Sequence, residues 1–153
     1  MVHAPIDFTA IDPAALEHVS ANRGFLVLRE CAELPPGPRD QIPWRVGGYN
    51  ISTHPDLVEW TADLAAAADA RFAFVCGRPV ILDGDRILGW GRGTHDFVIR
   101  AAAASAPEIR AQRGHVDERM GDEWLVFPAF LPDVPRPEHV ATIVRWLEAA
   151  RDA

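Results

Sequence analysis

Lysine is missing: all fifteen basic residues of this 153-residue chain are arginine. Schiff-base chemistry, a pyridoxal phosphate anchor and the lysine contacts of Walker-type or kinase-type phosphate sites are therefore unavailable within it. Serine is nearly as scarce. Ser20, Ser52 and Ser105 are the three, and none lies in G-x-S-x-G, so a nucleophile-elbow hydrolase is unsupported. There are two cysteines, Cys31 and Cys76, and no C-x-x-C, so reduced thiols are expected instead of a bridge. Cys76 lies in an apolar run, where a thiol is inert packing, and the charge of Glu30 beside Cys31 suppresses a thiolate there. No stretch reaches the ~18 uninterrupted apolar residues of a membrane span. The start, MVHAPIDFTAID, has no basic region followed by an apolar one, so no signal peptide is evident and a cytoplasmic location is expected. Positive charge is also in deficit. A formal net charge of −7 argues against unassisted nucleic-acid binding and against an anionic membrane surface.

What the chain does have is apolar content, 48% of residues, enough for one domain with a core that needs no staples. The organising stretch is Arg71 to Arg100. Apolar runs at 72–76, 80–82, 87–90 and 97–99 alternate with turn residues: Gly77-Arg78-Pro79, Asp83-Gly84 and Gly91-Arg92-Gly93. The connections are too short for parallel crossovers, so the spacing predicts an antiparallel meander. Within each run the apolar residues are consecutive, which means both sheet faces are covered or one covered face is wide. The glycines at 89, 91 and 93 read as hairpin geometry, with a backbone cradle for an anion as the minor alternative.

Around the meander the chain alternates. Asp12-Pro13 predicts a helix ending at Asn22-Arg23-Gly24, followed by a compact strand from Phe25. Residues 31–43 hold four prolines and read as loop, and 44–51 as a weaker strand interrupted by Gly47-Gly48. Thr53-His54-Pro55-Asp56 resembles a capping box opening a helix with Leu57, Trp60, Leu64 and Ala68 on one stripe. Ser105-Ala106-Pro107-Glu108 and Arg136-Pro137-Glu138 open two more helices, the last with Val140, Ile143, Val144 and Leu147 facing inward. WLVFPAFL, 124–131, reads as a strand that Pro128 confines to an edge or breaks. The expected architecture is a single α+β domain over 1–153. It has a two-layer, antiparallel twisted sheet (the meander 71–100 plus strands near 25–29, 44–51 and 124–130), with helices packed mainly on one face. The run 72–76 is the expected central strand.

Candidate chemistry is sparse. His95, beside Asp96, and His115 with Asp117 and Glu118 offer imidazoles and carboxylates for an acid–base pair or a divalent metal. In that reading His95, His115 and Glu118 are catalytic, and His95, His115 and Asp117 are metal ligands. No other cofactor is expected. Trp44, Trp90 and Arg92 flank loops that could line a pocket, and Trp146 lies beside the main stripe of the last helix, as a contact residue would. These four are the candidate binding residues. The leading expectation is a binding or accessory domain without its own catalysis, contacting a protein partner or a second copy of itself, with a small-molecule ligand as a further option. The rival is a small hydrolase, acid–base enzyme or metal binder built on His95, His115, Asp117 and Glu118.

Overall fold

The computed structural model describes residues 9–27, 44–46, 49–51 and 53–153. Two short strands, β1 (Trp44–Val46) and β2 (Tyr49–Ile51), pair with each other as a separate antiparallel ribbon where one weak strand was expected. The main sheet is built from β3 (Arg71–Val75), β4 (Arg78–Asp83), β5 (Arg86–Arg92), β6 (Asp96–Arg100), β7 (His115–Val116) and β8 (Trp124–Pro128). Its order is β3-β4-β5-β6-β8-β7, and every named pair is antiparallel. The predicted meander is therefore present.

Its turns explain why. Cys76 and Gly77 take positive φ, 53° and 73°, between the paired residues Val75 and Arg78. Two left-handed residues in a two-residue loop match the twist of the flanking strands. Cys76 thus stands in a turn and not inside the strand. The next turn is shifted by one residue from its expected place. Asp83 pairs with Arg86, so Gly84 and Asp85 are central, with φ of 59° at Gly84. Pro79, expected as a breaker, is buried in β4 opposite Phe74, and pairing with β5 starts one residue later at Val80. Gly91 serves close approach. A Cβ there would lie 2.7 Å from Thr61 Oγ1 and 3.0 Å from Leu57 Cγ.

The run at 72–76 is not central. The meander lays its strands down in sequence order, and β8 joins β6 at the far side, which leaves β3 at an edge. There Ala10 bridges Phe74 in parallel: Ile11 N donates to Phe74 O and Phe74 N to Thr9 O, both at 2.9 Å.

Among the described residues, four α-helices accompany the sheet: α1 (Arg23–Leu26), α2 (Pro55–Ala67), α3 (Ala106–Ala111) and α4 (Arg136–Asp152). One sheet face carries Ile81, Leu88, Phe97, Ile99, Leu125 and Phe127. It is covered by Leu57, Trp60 and Leu64 of α2 and by Ile143, Trp146 and Leu147 of α4. The other carries Val80, Leu82, Ile87, Trp90, Val98, Trp124 and Val126 under Leu16, Phe25 and Met120. Alternation between these two covered sets, broken once by the register shift that leaves Leu88 between the pairs Ile81–Gly89 and Leu82–Ile87, is the physical source of the consecutive apolar runs.

The second face also corrects the reading of the N-terminal segment. Asp12 caps as expected, accepting from Ala14 N at 2.9 Å, but the helix it opens is two 3₁₀ turns, Pro13–Leu16 and Ser20–Asn22. The strand expected near 25–29 is not formed at its start. Phe25 and Leu26 lie in α1, and residues 28 and 29 lie outside the described residues. Residues 9–11 take the outer edge of β3 and β7 takes that of β8, while the open sheet face needs an apolar cover. Phe25 supplies it, edge-on to Trp90 with ring centroids 4.8 Å apart. Asn22 locks the segment down. It is fully buried, donates to Leu16 O (3.0 Å) and Asp85 O (2.7 Å), and accepts from Ile87 N at 2.8 Å.

The α2 cap differs from the expected box. His54 is the N-cap, and its Nδ1 accepts from Asp56 N at 3.1 Å. Thr53 instead donates its hydroxyl to Gly91 O at 3.0 Å, and His54 N donates to Gly93 O at 2.8 Å. The helix start is thereby bonded to the end of β5. At the other end Asp69 stands in the left-handed region (φ 52°), and Ala70 N donates back to Ala65 O. Arg151 donates to Ala68 O at 2.7 Å, and Arg86 in turn donates to the Arg151 and Ala153 carbonyls. Two guanidinium groups thus sit at the negative ends of the two long helices, where a cation is stabilising.

Candidate functional site

The histidines and carboxylates singled out in the sequence do not gather. His95 is exposed in the Gly93–His95 turn between β5 and β6. His115 is exposed at the start of β7, its Nδ1 3.4 Å from Arg113 O. Among the described residues, no three side chains of His, Cys, Asp or Glu are grouped to hold a metal ion.

Asp117 is engaged elsewhere. Arg92 Nη1 donates to its Oδ2 at 2.9 Å. Arg119 holds both oxygens, through Nη2 at 2.9 Å and Nε at 3.2 Å, and adds its backbone N–H at 3.1 Å. These bonds, led by that to the Arg119 side chain, pull the Asp117 carboxyl down to about 2. A carboxylate so stabilised is a weak base near neutral pH, and its lone pairs are already used. Arg92 also reaches Asp96 at 3.7 Å. Arg92, expected to bind a ligand, is the hub of an ion-pair chain that ties the turn after β7 onto the sheet.

The tryptophans whose side chains are described are core. Trp90 is fully buried between Phe25 and Trp124. Trp146 was expected at the flank of its helix, partly exposed. It is 1% exposed and meets Phe127 edge-on at 5.3 Å. The inward stripe of α4 is His139, Ile143, Trp146, Leu147 and Ala150, which leaves Val140 and Val144 partly buried beside it. A large side chain fully buried contributes ~1.5–3 kcal/mol to folding. The side chain of Trp44 and all of Cys31 lie outside the described residues.

Two concave regions went unread in the sequence. On the helical face, the chain leaving β8 turns over α2 and α4. Phe130 is 42% exposed and Val134 36%, an apolar pair on one short loop. The Phe130 ring lies 5.7 Å from Trp60, which packs at 6.2 Å from the buried ring of His139. These residues line a hollow of about 100 Å³ with Leu131 and Arg136. A groove of about 370 Å³ continues past Phe130 to Asp56 and Glu59. Burial holds His139 below the ordinary imidazole value, only partly offset by the Pro128 and Ala129 carbonyls. The signal for this patch was only partial: Phe130 follows Pro128, where the strand reading breaks, and stands two residues before PDVPRP.

On the opposite face, a cleft of about 660 Å³ separates α1 from the 118–123 turn. Its lining includes Arg23, Arg100 and Arg119, with Glu118 and Glu123 among them. Of the residues predicted to be catalytic, Glu118 alone lines one of these concavities. Among the described residues no helix is long and apolar enough to cross a membrane. Comparison with known protein families, with curated proteins and with solved structures gives no match for this chain.

Proposed function

We propose that this chain is a small binding domain of the cytosol, without catalysis of its own, that engages a protein partner through the loop between β8 and α4. The observation that carries the reading is Phe130, held half out of the surface against Trp60. An exposed aromatic ring fixed by a buried one behind it suits an interface anchor, because little rotamer freedom is lost on binding. Val134 extends the apolar centre, and Asp56, Glu59 and Asp133 supply a charged rim. Arg136, the cation within that rim, is paired with Asp63 at 3.2 Å. The surface is thus apolar at its middle and acidic around it, and its complement is a basic segment with an apolar side chain at its centre. Two copies would set acidic rim against acidic rim, so a heterologous partner is favoured over self-association.

A panel of synthetic peptides tests this, one set arginine-rich with a central leucine or phenylalanine and one acidic with the same centre. Basic peptides should bind and acidic ones should not. Phe130→Ala should weaken binding about tenfold or more while leaving the melting temperature unchanged. Equal binding of both sets, or binding indifferent to Phe130→Ala, refutes the reading. Light scattering over a concentration series reports the remaining arrangement: a mass that doubles with concentration, and stops doing so in Phe130→Ala, would replace the heterologous partner with a second copy.

A further inference from the structure

We infer that the cleft between α1 and the 118–123 turn binds a small ligand through one carboxylate or phosphate group, held by Arg100 and Arg23. The site lies on the sheet face opposite the Phe130 loop, so the two proposals stand or fall separately. Its volume, about 660 Å³, is in the range of small-molecule sites.

The argument starts from how arginine is used in this chain. With 22 acidic residues against 15 arginines, partners are abundant. Arg71, Arg86, Arg92, Arg119, Arg136 and Arg145 each have an acidic partner. Around the cleft the pattern changes. Arg23 stands exposed on its rim, and its guanidinium makes no hydrogen bond or ion pair among the described residues. Arg100 is anchored at the end of β6 with its side chain 20% exposed, and its contact is a single long one, Nε to Glu123 Oε2 at 3.4 Å. Both terminal nitrogens of Arg100 are left without a partner among the described residues. Glu123 is 61% exposed and can swing into solvent. With Arg119 paired to Asp117, Arg23 and Arg100 remain against Glu118 and Glu123, so the lining is balanced in charge within a chain whose net charge is −7.

The rest of the lining favours a polar guest. Ser20 offers an exposed hydroxyl, Met120 is 5% exposed beneath, and Gly24 and Gly121 leave the walls without side chains. Arg119 is committed to Asp117 and so fixes the wall without competing for the ligand. A guanidinium fork matches the two oxygens of a carboxylate or phosphate, and two forks on one anion are stronger than either alone. Glu123 acts as the resident occupant of Arg100, which the ligand displaces.

The test titrates the full chain with inorganic phosphate and, separately, with citrate, at constant ionic strength and with chloride as the control anion. The readouts are the NMR signals of the arginine Nε–H groups and the Met120 methyl. Saturable shifts at Arg100 and Met120 are expected with at least one anion and not with chloride. Saturation with phosphate alone assigns a phosphate group, with citrate alone a carboxylate, and with both the shared chemistry. Arg100→Gln and the exposed, fold-neutral Arg23→Gln should each weaken binding about tenfold, as loss of a charge-assisted bond does. Glu123→Gln should tighten it, and Arg110→Gln on α3 should have no effect. The inference is overturned by shifts that do not saturate, by equal response to chloride, or by Arg23→Gln and Arg110→Gln behaving alike.

Discussion

Asp117→Asn should remove a specific part of the acid sensitivity of this domain. The Asp117 carboxyl falls from an ordinary 3.8 to about 2 because Arg119 and Arg92 bond its charged form. At 1.36 kcal/mol per pH unit, that difference corresponds to roughly 2 kcal/mol of folding free energy. The side chain is 14% exposed, which limits screening, but its partner Arg119 is 61% exposed. An expected contribution of about 1–2 kcal/mol follows. The group is depressed in the folded state, so its contribution is full above pH 3.8 and is lost as pH falls from there through about 2. Urea unfolding followed by circular dichroism at several pH values measures it. At pH 7 the variant should be less stable by about 1–2 kcal/mol. The gap should shrink to roughly a few tenths of a kcal/mol by pH 2, where about half of the folded chains carry a protonated Asp117. A gap that persists unchanged at pH 2 would mean that the loss comes from packing, and the ion-pair account of this turn would fail.

Three further outcomes are expected. Asp69→Gly should stabilise the domain by about 0.5–1 kcal/mol, raising the melting temperature by a few degrees, because φ of 52° strains any residue with a Cβ. Gly24→Ala should destabilise it by about 1–3 kcal/mol in the same assay, since the added Cβ collides with the Trp124 indole and lies 2.6 Å from Met120 O. His139 is held neutral by burial, so its folded value lies below the 6.5 of the unfolded chain. Stability should therefore fall as pH drops below 6.5, levelling off once the buried ring protonates. Denaturant unfolding between pH 7.5 and 5 should show this slope, flattened in His139→Gln.

The architecture was legible where it depended on neighbours in the chain. Tight turns at 76–77, 84–85 and 93–95 can join only adjacent antiparallel strands, and the apolar stripe of α2 sits where its 3.6-residue period places it. Errors came where a local pattern had two uses. Phe25 and Leu26 are as apolar as a strand, yet they cover a sheet face. Thr53 sits where a cap would, yet its hydroxyl is worth more on Gly91 O, a buried acceptor. His139 drew no reading from the sequence, and only the turn of the chain over it made it a buried ring.

The site was less legible than the fold. Arg92 and Asp117 are 25 residues apart and meet through the return of the turn after β7 across the sheet. That meeting converts a candidate ligand into a structural clasp. The cleft of Arg23 and Arg100 joins residues from α1, β6 and the 118–123 turn, and no spacing within one segment announces it.

The sequence by itself determined that this chain makes an antiparallel meander, because hairpin geometry acts over a few residues, but it left open whether both faces or one wide face would be covered. It also determined which chemistry is closed to the chain, since a chain without lysine has no side-chain amine to form a Schiff base. Tertiary structure alone decided which strand lies at the edge, which indoles are hidden and which guanidinium groups keep unused donors. Those outcomes depend on what distant segments bring to each surface, and burial and charge pairing are settled only when the surfaces meet.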